Sequence, residues 1–430
     1  MAKSSKKRRK PMNVPEPAPM GRGNTNPMIF DGNLIVDGDM GKKIHAECAG
    51  ECSSCAHGCD VIKNEVSPEQ SQPMQVMEQP QSPYDNGSME HMEYKKGVLY
   101  FHLPDYSGHF RLNYLLATLL LDSPQLFYPN IAIGSVYGSF PSAIWNGGRV
   151  VLGPLVGREE IKNCYRAFNN IGIPLRHTFT NGLIDDKLCY DQYCNQIMLL
   201  GDNKFNQVLV KSEELETYIR RTYPDYDVLS STTKRILSVS DLEKEASKDY
   251  KLTVIDYALN RDPDIFFLKD KSKYEILVNA YCIDNCPRRA QHYHEMANDQ
   301  LHFGHVETEG YEQPIGGCKY IGDDFFVAQA NRKDTIHPEE VYGYYAEEGF
   351  QHFKIEGRTT NPFDVLESYV QYMVLPEYRD HVRLMILRRL FEDPQQAAQP
   401  QIMIMSEKQI KELEEAGQIQ RIAGPPLNES

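Results

Sequence analysis

From Gly97 onward, short apolar runs alternate with longer stretches whose apolar positions recur every three or four residues. The first pattern predicts strands buried on both faces; the second predicts helices with one buried stripe. Strands are expected at Val98–His102, Ile131–Val136, Leu175–Phe179, Gln207–Val210, Asp227–Ser230, Leu252–Tyr257, Ile276–Asn279 (in an apolar run from Tyr274) and Phe350–Ile355. Helices are expected at Phe110–Leu121, Arg158–Asn169, Gln192–Leu200, Glu213–Arg221 and Pro362–Tyr372. Asp191 is the expected N-cap of the third helix, and Ser240-Asp-Leu-Glu243 reads as a capping box for another. The piece Pro263–Lys269 reads as short or irregular helix, and a helix is expected after Pro287. Eight strands, each followed by something helical, imply a parallel sheet, and eight units imply a closed (β/α)8 TIM-type barrel over residues 97–390. An open doubly wound sheet competes, but no glycine-rich phosphate fingerprint follows the first strand.

The pattern fails in three places. Residues 1–96 carry no sustained period and read as a disordered tail rich in Pro, Gln, Met, Ser and Gly. The stretch Asp299–Gly349 is far longer than an ordinary connection, and so is expected to be a functional insertion before the last strand. Residues 391–430 read as a Pro/Gln linker and a lone helix, Met405–Ala416, suited to docking on a protein partner.

Composition narrows the class. The 430 residues are 41% hydrophobic and 25% charged, as in soluble globular proteins. A net charge of −14 argues against a general nucleic-acid coat, though Lys6-Lys-Arg-Arg-Lys10 is locally basic. No apolar run reaches membrane-spanning length and the first residues lack the apolar stretch of a signal peptide, so a cytoplasmic protein is expected, with no membrane partner. In a reducing compartment, ten cysteines point to metal chemistry before disulfides.

Two cysteine sets stand out. Cys282-x3-Cys286 lies between the seventh strand and the next helix, where N–H groups and the helix dipole favour thiolate. Arg288, Arg289, His292 and His294 crowd the same turn. Cys48-x3-Cys52-x2-Cys55-x3-Cys59 lies in the tail, with nothing nearby to bury four thiols, and reads as a second zinc or iron–sulfur site. In a barrel, chemistry sits at the C-terminal ends of the strands. Cys282 and Cys286 belong there, Cys318 in the insertion can fold back over that face, and Cys194, with Cys189 in reserve, is the expected fourth ligand. Cys164 falls mid-helix and is expected in the core. Four thiolates suit zinc or an iron–sulfur cluster, and spacing does not separate the two.

Lys354-Ile-Glu-Gly-Arg358 on the eighth strand, followed by Glu367-Ser-Tyr-Val370, resembles the signature of the collagenase-like peptidase family of unknown catalytic type, number thirty-two. The segment Asn279–Tyr293 is similar to the cluster segment of divergent members. The resemblance covers residues 97–390 and implies a (β/α)8 barrel in which four cysteines hold a [4Fe–4S] cluster. Relatives include hydroxylases acting on RNA bases or quinone precursors, and others are collagenolytic.

Glu356 and Arg358, with His292, are the expected catalytic groups: a carboxylate and a guanidinium at a barrel mouth can move a proton and bind an anion. The competing view makes them an internal ion pair that shapes the loop. Asn181, Arg261, Asn279 and Arg288 are the expected substrate contacts, while His102 and Ser135 fit satisfied core groups equally well. The leading expectation is an iron–sulfur hydroxylase or other modifying enzyme acting on RNA, a small molecule or a peptidyl group. A metal-assisted peptidase and a non-catalytic cluster-bearing interaction protein are the alternatives.

Overall fold

The computed structural model describes residues 89–282, 286–304 and 332–391. The tail cysteines Cys48, Cys52, Cys55 and Cys59, together with Cys318 and the Met405–Ala416 helix, lie outside the described residues.

Eight parallel strands close into a barrel in sequence order. They are β1 (Leu99–Pro104), β2 (Ile131–Gly138), β3 (Leu175–Phe179), β4 (Gln207–Val210), β5 (Asp227–Ser230), β6 (Thr253–Ile255), β7 (Tyr274–Leu277) and β8 (His352–Lys354). The helices are α1 (Phe110–Asp122), α2 (Arg158–Asn169), α3 (Gln192–Leu200), α4 (Glu213–Thr222), α5 (Val239–Ala246), α6 (Arg289–Phe303), α7 (Pro362–Met373) and α8 (Arg379–Phe391). Local chemistry sets several boundaries. The Asp191 carboxylate accepts from the Cys194 N–H at 2.7 Å and opens α3. At α5 the cap is Ser238, whose hydroxyl accepts from the Asp241 N–H. The expected Ser240 box therefore sits two residues too late, because Ser238 reaches the free N–H first. The helix α8 was not foreseen.

Period-2 alternation divides the strands. Outward residues such as Phe101, Val208, Ile255 and Phe353 join the main apolar layer under the helices. Inward residues include an unusual buried polar set. Arg176 on β3 and Glu275 on β7, both without exposed side-chain surface, form an ion pair across the lumen. Arg176 also donates to Gln207 at 2.9 Å and to His102 Nδ1 at 3.0 Å. A guanidinium only donates, so His102 carries its proton on Nε2 and gives it to His352 Nδ1, 3.2 Å away. The Ser135 hydroxyl bonds His102 Nδ1 at 2.9 Å. His102 and Ser135 are thus satisfied core groups.

The bottom of the barrel is closed from outside the expected boundary. Residues 89–96, assigned to the tail by sequence, run across the N-terminal opening. The Tyr94 ring packs on Leu209, Leu229, Leu252 and Val254 and lies edge-on to Tyr100 and His352 at 4.8 and 4.4 Å. Its hydroxyl accepts from Gln207 at 2.9 Å.

The top departs further from the expected pattern. In place of an ordinary helix outside β7 and β8, α6 crosses the mouth. Its Gln300 bonds Asn146, Val151 and Ala143 of the loop after β2, and its Ala297 carbonyl accepts from Asn181 after β3. β7 and β3 stand on opposite sides of an eight-stranded ring. A 15-residue helix is about 22 Å long, enough to span that distance. The outer position beside β7 is taken by a helical segment running from Pro338–Glu340 into a π-helical turn, Val341–Tyr345. It is anchored by Ile336 N–H on the Val278 carbonyl and by Tyr342 on the Tyr372 carbonyl. The predicted insertion at Asp299 thus begins inside a helix. The extra chain starts with α6 itself.

Two measurements check this frame. Tyr94→Ala should lower unfolding free energy by roughly 2–3 kcal/mol in urea titrations, since a large ring leaves a packed opening. Burial also lowers His177 and His352 to about 3, so both are neutral in the fold. The unfolded chain binds those protons below about pH 6.5 and the native one does not, so stability falls as pH drops from there toward 3. Each histidine should cost roughly 2 kcal/mol by pH 5, read as a fall in urea midpoint.

Candidate active site at the barrel mouth

The mouth is organised around Glu356, two residues past β8. Asn279, two residues past β7, grips its backbone on both sides: the Glu356 N–H donates to Asn279 Oδ1 at 2.6 Å, and Asn279 Nδ2 donates to the Glu356 carbonyl at 3.2 Å. The carboxylate accepts the Tyr281 N–H at 2.8 Å on one oxygen and the Arg149 guanidinium on the other. Both charged side chains keep some solvent exposure, 22% for Arg149 and 17% for Glu356. Asn279 therefore positions Glu356 and is not placed as a substrate contact.

Arg358 turns away from Glu356. It donates to Asn146 Oδ1 (2.9 Å), Thr178 Oγ1 (2.7 Å) and the Gly147 carbonyl (2.9 Å). The internal Glu356–Arg358 ion pair considered from sequence is not formed. Arg149, which the sequence did not single out, is the partner of Glu356.

Below them Lys354 is buried, its ammonium 4.0 Å from the Tyr137 ring centre and 3.5 Å from Glu275 Oε1. Burial lowers its pKa and Glu275 offsets part of that, leaving it at about 8. Burial opposes ionisation of Glu275, but Arg176 and Lys354 overcome it and hold the carboxyl below its ordinary value. Lys354, Glu356 and Arg358 recur with period 2, a signal that would have nominated Lys354.

Cys282 sits at the rim above β7, packed on Tyr257, Leu277 and Ala280. The Tyr257 ring is covered by the Arg289 guanidinium, 3.7 Å from its centre, and Arg289 pairs through two 2.7 Å bonds with Asp256. Burial pushes the Cys282 thiol up; the Tyr257 hydroxyl opposes this and a negative charge on Cys286 adds to it. The expected thiolate stabilisation by a helix N-terminus is not realised at Cys282, because α6 begins only at Arg289 and the half-buried thiol is raised by burial. His292 on α6 is held below its usual value, first by burial and then by Arg149. It belongs to the mouth.

Other expected residues are placed elsewhere. Asn181 is committed to the Ile144 and Ala297 carbonyls and to the Leu183 N–H. Arg261 ties the outer rim to Glu340, Lys333 and Thr335. Arg288 is exposed, 3.3 Å from Glu295. Cys194 is fully buried in the main apolar core beside the backbone of Ile144 and Trp145, where burial raises its pKa well above the usual range. That is the far end of α6 from Cys282, so Cys194 does not join the Cys282–Cys286 pair. Cys189 is also buried, pushed up to about 11. Cys164 is in the core, as expected, with its thiol against the Tyr106 carbonyl. Among the described residues, no group of three or more His, Cys, Asp or Glu could hold a metal ion. No helix among them is long and apolar enough to cross a membrane.

No family model and no curated protein matches this sequence. Among solved structures, the chain is similar to the U32 peptidase Mk0906. The match has 10% sequence identity and a TM-score of 0.37, and covers 61% of this chain and 94% of that one.

The Asp256–Arg289 pair fastens the start of α6 to the β6 rim. Asp256→Ala leaves a buried guanidinium without its carboxylate. It should cost about 3–5 kcal/mol, measured by denaturant unfolding.

Proposed function

We propose that the chain is an iron–sulfur (β/α)8 enzyme that modifies a substrate admitted beneath α6. One observation carries this reading: Cys282 stands on the rim next to Tyr281, whose N–H holds Glu356 of the partly exposed Arg149–Glu356 pair, at the C-terminal end of the barrel strands. The two thiols stand four residues apart on the one connection between β7 and α6, which fits them as two ligands of one centre. Cys194 does not fit as another. Cys318 is the third candidate, and one further thiolate would have to come from outside the described residues. When bound, a [4Fe–4S] cluster would supply one-electron transfer next to the substrate.

The chain's own groups fill the remaining roles. Glu356, fixed by Arg149 and the Tyr281 N–H, is positioned to accept a proton from a bound molecule. Lys354, at about 8, can hold or release a proton near neutral pH. The buried rings of Tyr137, Tyr257 and Tyr281 stand behind the mouth, and a flat substrate, such as a nucleobase or a quinone-like ring, would suit such aromatic backing.

Anaerobic iron and sulfide measurement on the full-length chain tests the proposal. Iron with matching sulfide is expected, and Cys282→Ala should remove the share held at the mouth while leaving any tail centre. Colourless protein carrying stoichiometric zinc would overturn the iron–sulfur assignment. Gelatin cleavage that persists in Cys282→Ala would replace it with a peptidase.

A further inference from the structure

On the β3–β5 side of the mouth, across from the Glu356 carboxylate, three cations have no carboxylate within ion-pair distance among the described residues. Lys211 follows β4 and Arg235 follows the turn after β5. Neither side chain has a hydrogen-bond or ion-pair partner within the described residues, and the Arg235 Nε is buried and unsatisfied. Arg358 bonds only neutral acceptors. Protein cations in such surroundings usually stand beside acids, and the chain has 60 Asp and Glu against 46 Lys and Arg. Here no acid is within ion-pair distance of any of the three among the described residues. Burial, and then Arg235, lower the Lys211 pKa.

The neighbouring groups complete a cradle. Thr180, only 4% exposed, presents a hydroxyl with no partner. Gly148, with φ +74°, lies between the pieces: a methyl there would sit 3.2 Å from Arg358 Nη2, 3.2 Å from Thr233 Cγ2 and 3.9 Å from Thr180 Oγ1. A methyl on Gly182 would sit 2.9 Å from Lys211 Nζ, placing that ammonium against the turn that bears Thr180. Positive charge, an unsatisfied buried hydroxyl and close-approach glycines are what a tetrahedral oxyanion needs.

We infer that Lys211, Arg235 and Thr180, with Arg358 behind them, form a subsite for a phosphate group carried by the substrate. The inference rests on the mouth being a substrate site, and it names the chemistry the substrate must bring there. A phosphate held by these residues lies across the mouth from Glu356, so the reacting part of the molecule spans the space beneath α6.

Thermal unfolding of the full-length chain, with inorganic phosphate against chloride at equal ionic strength, is the test. Wild-type protein should gain about 2–4 °C near saturation. Lys211→Met and Arg235→Met should lose that response, yet match or exceed wild-type stability in chloride, because each removes a repulsion. Gly148→Ala keeps the charges and narrows the cradle, so it should weaken the response. Acetate should do little. A nucleoside monophosphate and a sugar phosphate, run in parallel, identify the source of the phosphate by which stabilises more. No wild-type response, an undiminished response in both Met variants, or an equal response to acetate would each overturn the subsite. The titration requires neither iron nor turnover, so its outcome is separate from that of the iron measurement.

Discussion

The interior of this barrel depends on one carboxylate shared by two cations. Glu275 has no exposed surface, and it faces Arg176 across the lumen and Lys354 above. An isolated charge there would be strongly disfavoured, so each of the three is tolerable only because of the others. The balance is unequal. Arg176 forms the close pair, while Lys354, at 3.5 Å, gains less from Glu275 and is brought down by burial to about 8. His102 and His352 remain neutral beside them, first because both are buried and then because a further positive charge would meet Arg176. A device that stabilises the barrel interior thereby leaves a titratable amine immediately below the mouth.

The second constraint is the path of α6. By crossing from β7 toward the β2–β3 side, it exchanges the usual outer packing for ties to Asn146, Val151 and Asn181. Those same ties fix the loop after β2, and that loop delivers Arg149 to Glu356 and the Gly147 carbonyl to Arg358. The lid and the polar mouth are therefore one construction. Asp256–Arg289 anchors it at one end and Gln300 at the other.

Charge is divided across the mouth. Glu356 and Asp256 are matched by Arg149 and Arg289 on the β6–β8 side. On the β3–β5 side, Lys211, Arg235 and Arg358 have no acid within ion-pair distance among the described residues. On the proposed reading, a site of this kind would orient a molecule that is anionic at one end and reactive at the other. The thiols of Cys282 and Cys286 lie on the matched side, where the reacting end would be.

The barrel itself was written in the sequence. Buried parallel strands are short, carry apolar residues at alternate positions at least, and are separated by amphipathic helices, so β3, β4 and β5 are legible despite Arg176, Gln207 and Asp227, and Asp191 marks α3 by its capping chemistry. The Lys354-Ile-Glu-Gly-Arg358 stretch likewise announced the mouth, because inward alternation at the end of a last strand can point nowhere else. What the sequence could not carry were relations between distant segments. Nothing local tells Arg149 to pair with Glu356, Tyr94 to plug the barrel floor, or Asn181 to spend its amide on α6. α6 is only weakly amphipathic, burying Arg289 and Gln300 along with Met296, Ala297 and Leu301, so only closure of the ring decides whether it covers the outside of β7 or the mouth. Local pattern determines which elements form. Only the tertiary structure decides which charges are left without partners, since a partner is a matter of distance in space and not along the chain.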